Sequence, residues 1–307
     1  MNEITYKLLD IFCHVDFSLV YLKFIGVVKI LRLNMVAIRE TDIYNKEALT
    51  SLKKHLPFST NAIHSVINYP DKTSLLYMDT GTNHIWLISY LSGYNPHIWY
   101  SPIIWAVPER SLLNECDIRQ AINFLENAYG SFIMMIPYEL PAGMDLIGLK
   151  IYHEFLMMRD IIPSPLKSDS QIRLLTPEDA SESLRMSAGI EPYDERIEPV
   201  DAEKLFLLQR ETYGIFKDKK LVCRGSIMAN FGIYQTVGGF VTDPEYRGMG
   251  LATKLVEFIC GTVEARGGKP CLTVRNTNEA AIRLYKKLEF REIQRITFID
   301  CNSGVVP

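Results

Sequence analysis

The chain has 307 residues, 48% hydrophobic and 22% charged, with a net charge of −3 at pH 7. That length predicts about two domains of roughly 150 residues each, with the composition of a soluble globular protein. The near-neutral charge leaves no nucleic-acid footprint. The six cysteines are scattered with no C-x-x-C pair, which argues against a zinc knuckle or redox dithiol and suits a reducing cytoplasm.

The first unusual stretch is "FSLVYLKFIGVVKILRL", Phe17 to Leu33. Lys23, Lys29 and Arg32 interrupt it, whereas a membrane span wants about 20 nearly uncharged residues. The residues ahead of it lack the basic start and small-residue cleavage site of a signal peptide. A buried element or added N-terminal segment is expected, with no membrane role, and Met35 is an alternative start. After Met35, "VAIRETDIYNKEALTSLKKHL" reads as a strand, a polar turn and a helix. "TSLLYMDT", "HIWLISYL" and "WYSPIIWAV" read as strands by their aromatic and β-branched content. "SLLNECDIRQAINFLENAY" reads as a helix, with Leu113, Cys116, Ile118, Ala121, Ile122 and Leu125 near the 3.6 period. Trp86, Trp99 and Trp105 are expected in the core, and no histidine pair has metal-ligand spacing on a helix.

A break at "IIPSPLKSDSQ", Ile161 to Gln171, has linker chemistry. It divides the chain into an α/β domain over 1–162, a linker over 163–170 and a second domain over 171–307. "IRLLTPEDASESLRMSA" then repeats the strand–turn–helix order that follows Met35, with Thr176 and Pro177 suited to an N-cap and first helical position. Each half also ends in a strand-like stretch, which hints at tandem duplication. "ETYGIFKD", "KLVCRGSIM" and "IYQTVGGFVT" make an antiparallel meander. A helix follows from Leu251 to about Arg266, with Leu251, Leu255, Val256, Ile259 and Val263 on one face. Then come the strand "PCLTV", the helix "NEAAIRLYKKLEF" and a final strand. The fold class is therefore α/β (α+β), with a mostly antiparallel mixed sheet in the second half.

Between the meander and its helix lies "DPEYRGMGLA". The first turn of a helix leaves backbone N–H groups without partners at the positive end of its dipole, so anions bind there. Gly248 and Gly250 let a ligand approach the backbone, and Arg247 adds charge. The stretch suits a diphosphate. A Walker loop is absent, a dinucleotide fingerprint fails at Thr253, and an ordinary turn is the plain alternative.

These residues resemble the GNAT acetyltransferase superfamily. Arg247, Gly248, Met249, Gly250, Leu251 and Ala252 fit its [QR]-x-x-G-x-[GA] loop. Asn278, Ala281, Leu284, Tyr285, Lys287 and Phe290 fit N-x-x-A-x-x-L-Y-x-K-x-G-F, with Glu289 in place of the glycine. The resemblance covers about 172–300, and the wording is most similar to the glycine N-acyltransferase-like branch, whose members carry a preceding domain. It implies that acetyl-CoA is held by Phe240, Val241, Thr242, Arg247, Gly248, Met249, Gly250, Leu251, Ala252, Thr253 and Asn278. It further implies a strand splayed at Gly238 and Gly239, an oxyanion donor near Val241, and Tyr285 as the acid for the leaving thiolate. Plain readings stand beside these: glycines relieving crowding, a core tyrosine, an N-cap asparagine.

No general base is evident. Glu191, Asp194, Glu195 and Glu198 are candidates or simply a solvated acidic loop. Cys271 is either a nucleophile or a buried inert thiol. The expected activity is acetyl transfer from acetyl-CoA to an amine, small molecule or protein, by direct attack, without metal, in a monomer or homodimer. The alternative is a non-catalytic acyl-CoA sensor or scaffold.

Overall fold

The computed structural model describes residues 31–33, 36–90, 102–109, 112–141, 144, 146, 149–160, 170–187 and 200–301. Of Phe17–Leu33 only the last three residues fall within these, Met35 and Trp99 fall outside them, and of the linker 163–170 only Ser170 is described. No helix among the described residues is long and apolar enough to cross a membrane.

The chain opens with β1 (Leu31–Leu33), β2 (Val36–Glu40), α1 (Lys46–Lys54) and α2 (Thr60–Asn68). Strands β3 (Thr73–Asp79), β4 (His84–Tyr90) and β5 (Ile103–Pro108) follow, then α3 (Glu115–Tyr129), β6 (Ile133–Ile136) and β7 (Lys150–Met158). The second half begins with β8 (Ile172–Leu174), α4 (Ala180–Ser187) and α5 (Val200–Gln209). It continues with β9 (Glu211–Lys217), β10 (Lys220–Phe231), β11 (Tyr234–Thr242) and α6 (Leu251–Ala265). It closes with β12 (Lys269–Arg275), α7 (Glu279–Lys287) and β13 (Arg291–Asp300).

All the described strands join one sheet in the order β1-β2-β3-β4-β5-β6-β13-β7-β12-β11-β10-β9-β8. Strands β2 to β5 form an antiparallel meander, and β5 then pairs in parallel with β6 across the crossover helix α3. Strands β8 to β11 repeat the meander, and β11 pairs in parallel with β12 across α6. Parallel neighbours need such a crossover, while the hairpins need only tight turns. The last strand of each half is exchanged: β7 pairs with β12, β13 pairs with β6, and the two pair with each other. A buried ion pair of 2.7 Å between Arg159 and Glu264 ties the end of β7 to α6.

The period-3.6 faces are buried as the sequence predicts. Leu251, Leu255, Val256, Ile259 and Val263 pack under the second half with Leu272 and Val274, and Ile118, Ala121, Ile122 and Leu125 pack under the first. Trp86 and Trp105 are core residues. Cys116 is exposed at the first turn of α3, where the apolar stripe has not yet turned inward. Helices α2 and α5 and strand β6 are not foreseen by the sequence reading, since each is short: nine, ten and four residues. The expected turn "ANFG" is tighter, because β10 runs on to Phe231.

Thr176 caps the helical turn Pro177–Asp179 through a reciprocal box with Asp179. At the other end of the domain, Glu289 follows α7 with φ 64°, where a side chain costs about 1–2 kcal/mol relative to glycine. Glu289→Gly is expected to raise unfolding free energy by about 1 kcal/mol, read from the midpoint of a urea titration.

Candidate functional site: an open seam between two parallel strands

Strands β11 and β12 are paired only from Tyr234–Thr236 to Lys269–Cys271. Beyond that they diverge and leave a cleft of about 400 Å³ between them. An unpaired strand edge inside a sheet exposes backbone groups that want partners. The divergence has a local cause. Val241 lies opposite Arg224 and Gly238 opposite Ser226, so Gly239 and Phe240 together face Gly225. That is a β-bulge, and Gly239 supplies its φ of 64°. The Phe240 ring covers Gly225 so closely that a Cβ there would lie 2.4 Å from it. Gly225 thus makes room for the bulge. The sequence reading passed over it, although a glycine inside "KLVCRGSIM" was a signal of close approach.

The edge facing the cleft carries usable groups. The N–H of Asp243 donates to Val222 O at 2.9 Å, and Val241 is in register with Arg224. Alternation along an antiparallel strand therefore turns the N–H of Val241 toward β10 and those of Phe240 and Thr242 toward the opening. The carbonyl of Thr242 confirms this direction by accepting from Arg247 Nε at 3.3 Å. The donors at the seam are the neighbours of Val241, while Val241 itself lines the cleft.

At the seam's end the chain turns into α6. Asp243 accepts from Glu245 N at 3.1 Å and is held by Arg185 and Lys220, each at 3.0 Å. These two cations keep its carboxyl below the usual range, Lys220 first. Gly248 and Gly250 both have φ 76°, with open space where a Cβ would be. They are required by backbone conformation, and nothing of the protein fills the space above them. Gly250 is the N-cap and offers no side chain to the helix. The first intrahelical bond here is Lys254 N to Gly250 O at 3.0 Å, so the N–H groups of Leu251, Ala252 and Thr253 are left for a ligand. Met249 is exposed beside them.

Asn278 caps α7 by accepting from Ala281 N at 3.1 Å and also lines the cleft. About two turns on, Tyr285 is buried, packed 6.4 Å from the Phe240 ring and 5.7 Å from Phe290. Burial, with the nearby Cys260, pushes its phenol well above its ordinary value. Cys271 lies in the paired part of β12, next to Gln235 O and Thr236. Burial pushes its thiol up to about 12, so it is an inert thiol and no thiolate nucleophile.

One acidic side chain in the cleft comes from the first half. Glu154 on β7 is in register with Arg275 at the splayed end of β12 and lines the cavity with Asn278 and Tyr285. Burial raises its carboxyl above the usual range, against the opposing pull of a Thr273 hydrogen bond and of Arg275. Sequence reading missed it because nothing in "LKIYHEFLMM" announces that this strand crosses to the other half. Glu191, Asp194, Glu195 and Glu198 lie outside the described residues. No group of metal-ligating side chains occurs among the described residues. A second hollow of about 520 Å³, beside Arg159 and Arg291, is lined by cations already engaged by Glu264 and Asp160.

Residues 212–299 match the family model "FR47-like protein". A GCN5-related N-acetyltransferase from Sphaerobacter thermophilus is similar over 89% of this chain and 98% of its own, at 11% identity and TM-score 0.58. A tandem GNAT protein from the clavulanic acid biosynthesis pathway is similar over 88% and 99%, at 13% and 0.54. The chain has the GNAT fold. A protein from Novosphingobium aromaticivorans described as a GNAT-family acetyltransferase shares 24% identity over 69% of this chain and 86% of its own, with TM-score 0.51. No curated protein matches the chain. In this GNAT fold the seam, the uncapped α6 and the tyrosine of α7 all belong to the second half, whereas Glu154 belongs to the first.

Gly250→Asp introduces a like charge and a strained φ at the anion end. It is expected to weaken coenzyme A binding by about 10–100-fold, the loss of one or more charge-assisted hydrogen bonds. Isothermal titration checks this, and unchanged affinity removes the loop from the site.

Proposed function

We propose that this chain is an acyl-CoA-dependent N-acyltransferase, moving an acetyl group from acetyl-CoA to an amine acceptor by direct attack within a ternary complex. The observation that carries this reading is the open seam, which runs from uncapped helix amides to a tyrosine and a carboxyl group. We further assign donor binding to 171–307 and regard 1–162 as a second GNAT-like unit, joined by 163–170, that completes the acceptor side. The buried free thiols favour a reducing, cytoplasmic setting.

Acetyl-CoA supplies a thioester carbonyl and a thiolate leaving group. The amides of Leu251, Ala252 and Thr253, the loop of Gly248, Met249 and Gly250, and Arg247 hold its diphosphate. The N–H groups of Phe240 and Thr242 bond along its arm and to the carbonyl where negative charge gathers. Val241 and Asn278 wall the arm.

An alkylammonium with a pKa near 10.4 must lose a proton before it can attack. Glu154 accepts that proton, and its raised carboxyl brings it nearer the operating pH. Tyr285 makes no hydrogen bond to another described side chain and donates to the departing sulfur. With its pKa raised, it stabilises the thiolate as a hydrogen-bond donor more than it hands over its proton.

Thiol release from acetyl-CoA over an amine panel tests the proposal. Coenzyme binding without transfer to any amine overturns it in favour of an acyl-CoA sensor. Tyr285→Phe should lower kcat about tenfold or more, the share of one hydrogen bond to a charged group, with little change in acetyl-CoA affinity. Equal losses in both reject the donor role.

For Glu154 the sign is fixed by its raised carboxyl. Ionisation, and so base function, is gained as pH rises through the folded pKa. Its contribution to stability is present below the unfolded value and is lost over the same rise. Glu154→Gln should therefore cost about 10²–10⁴ in kcat, flatten the acidic limb of the pH profile, and raise the melting temperature at neutral pH. A preserved acidic limb in the variant assigns the base elsewhere.

A further inference from the structure

Three arginines line the cleft: Arg210, Arg224 and Arg275. Two are engaged. Arg224 Nη1 donates to Ser183 Oγ at 2.5 Å and is paired with Glu203 at 3.1 Å. Arg275 lies over the Tyr152 ring at 4.4 Å and faces Glu154 across the strand pair. Arg210 has no carboxylate partner among the described residues. Its guanidinium is held by weak contacts, 3.5 Å from Met228 Sδ and 5.1 Å from the Phe206 ring centre. Desolvation is the leading influence on it and lowers its pKa, and the groups that oppose this are Tyr90 and Tyr69. Arg210 is half-buried and lines the cleft, so its charge meets the opening and is placed to pair with an anionic group of a bound ligand.

The surroundings look built. Arg210 is fixed at the junction of α5 and β9, so its backbone is set by two elements. Met228 is the extra residue of a second bulge, between Ile227 and Ala229 on β10. That bulge turns its sulfur to the guanidinium. The opposite wall comes from the first half, where Tyr69 packs 5.8 Å from Tyr90 and 5.9 Å from His64. Two further cleft residues of that half leave buried polar atoms unpartnered, the ring N–H of Trp105 and the Oδ1 of Asn61. Each costs about 1–3 kcal/mol in that state. A cavity of about 400 Å³ is of a size for a small molecule.

We propose that Arg210 anchors a carboxylate carried by one of the two substrates, on the acceptor or on the acyl chain, at the end of the cleft walled by Tyr69 and Tyr90. This rests on the acyl-transfer reading. It makes the reaction selective for a small carboxylate-bearing molecule over a simple alkylamine or a protein lysine.

The test uses the full chain with two donors, acetyl-CoA and succinyl-CoA, against amino acids and their carboxamides. If the acceptor carries the carboxylate, acetyl-CoA with amino acids is favoured over acetyl-CoA with the amides by about 10–100-fold in kcat/KM, the range for one hydrogen-bonded charge. If the acyl chain carries it, succinyl-CoA is favoured over acetyl-CoA by a similar factor with the amides. In either case Arg210→Met abolishes the preference, mainly through KM, and Arg210→Lys restores part of it, at an unchanged melting temperature. Equal turnover of all four pairings by the unaltered protein overturns the proposal, as does a preference that survives Arg210→Met. Calorimetric titration of the same amino acids in the presence of desulfo-coenzyme A separates the two readings. Binding that depends on Arg210 without transfer ends the acyl-transfer reading and leaves the anchor standing, whereas transfer without selectivity does the reverse.

Discussion

The structure depends on one broken ladder. A sheet normally satisfies every backbone donor and acceptor of its inner strands, and leaving a seam open inside it forfeits several hydrogen bonds. The seam survives because each of its strands is secured on its other side. Strand β11 is paired along its length with β10, and β12 is paired from Cys271 to Arg275 with β7. Neither strand can drift across to close the gap without breaking a ladder already made. The bulge at Gly239 and Phe240 then turns the free edge of β11 toward the opening, and the Phe240 ring, seated on Gly225, keeps it there. The outer support of β12 comes from the first half of the chain. The second half alone would present a bare edge where β7 now lies, so the exchange of last strands is a condition of the site.

The two halves show what happens when the same topology is used for another purpose. Strand β5 pairs in parallel with β6 only from Ile103 to Trp105, much as β11 pairs with β12. There the space is filled. Leu113, Ile118, Phe132 and Ile136 pack together with Tyr138 and Leu140, and the N–H of Leu113 donates to Tyr138 Oη. The helix that follows is closed to anions as well. Asn114 and Asp117 cap α3 reciprocally, and Thr80 and Thr82 donate to the Asp117 carboxylate. A buried acid at the helix start satisfies the same dipole that, in α6, has no side-chain cap. Among the described residues no helix lies between β6 and β7. What the first half supplies is structural and lateral: a strand beside β12 of the other half, a carboxyl group on it, and the aromatic wall opposite Arg210.

Much of the second half was legible because its signals are local. Glycines at a strand–helix junction, an apolar face at period 3.6 and an asparagine before a helix each act within a few residues, and the structure bears out the elements they announce. The expected strand order inside each half was likewise local. What could not be read depends on distant partners. The helix Thr60–Asn68 packs on β10 of the other half, and His64 contacts Asn230 at 3.3 Å, a relation across 166 positions with no mark in either segment. Glu154 reads as one polar residue in an alternating strand, and only the exchange of β7 makes it a neighbour of Arg275. Arg210 reads as a charge at the end of a helix, where cations are common. Its lack of a partner is a property of the assembled cleft.

Glu154 and Tyr285 illustrate how one environment serves two opposite needs. Tyr285 is buried and Glu154 half-buried, and desolvation disfavours the charged form of either group. For the carboxyl this raises the pKa, while a Thr273 hydrogen bond and Arg275 limit the rise. For the phenol the same effect runs unopposed, with Cys260 adding to it. The difference lies in position. Glu154 faces a cation and a hydroxyl donor across β12, whereas Tyr285 stands on the apolar face of α7 against Phe240 and Phe290. The carboxyl has polar neighbours and the phenol has rings, a contrast that suits the proposed proton acceptor and hydrogen-bond donor.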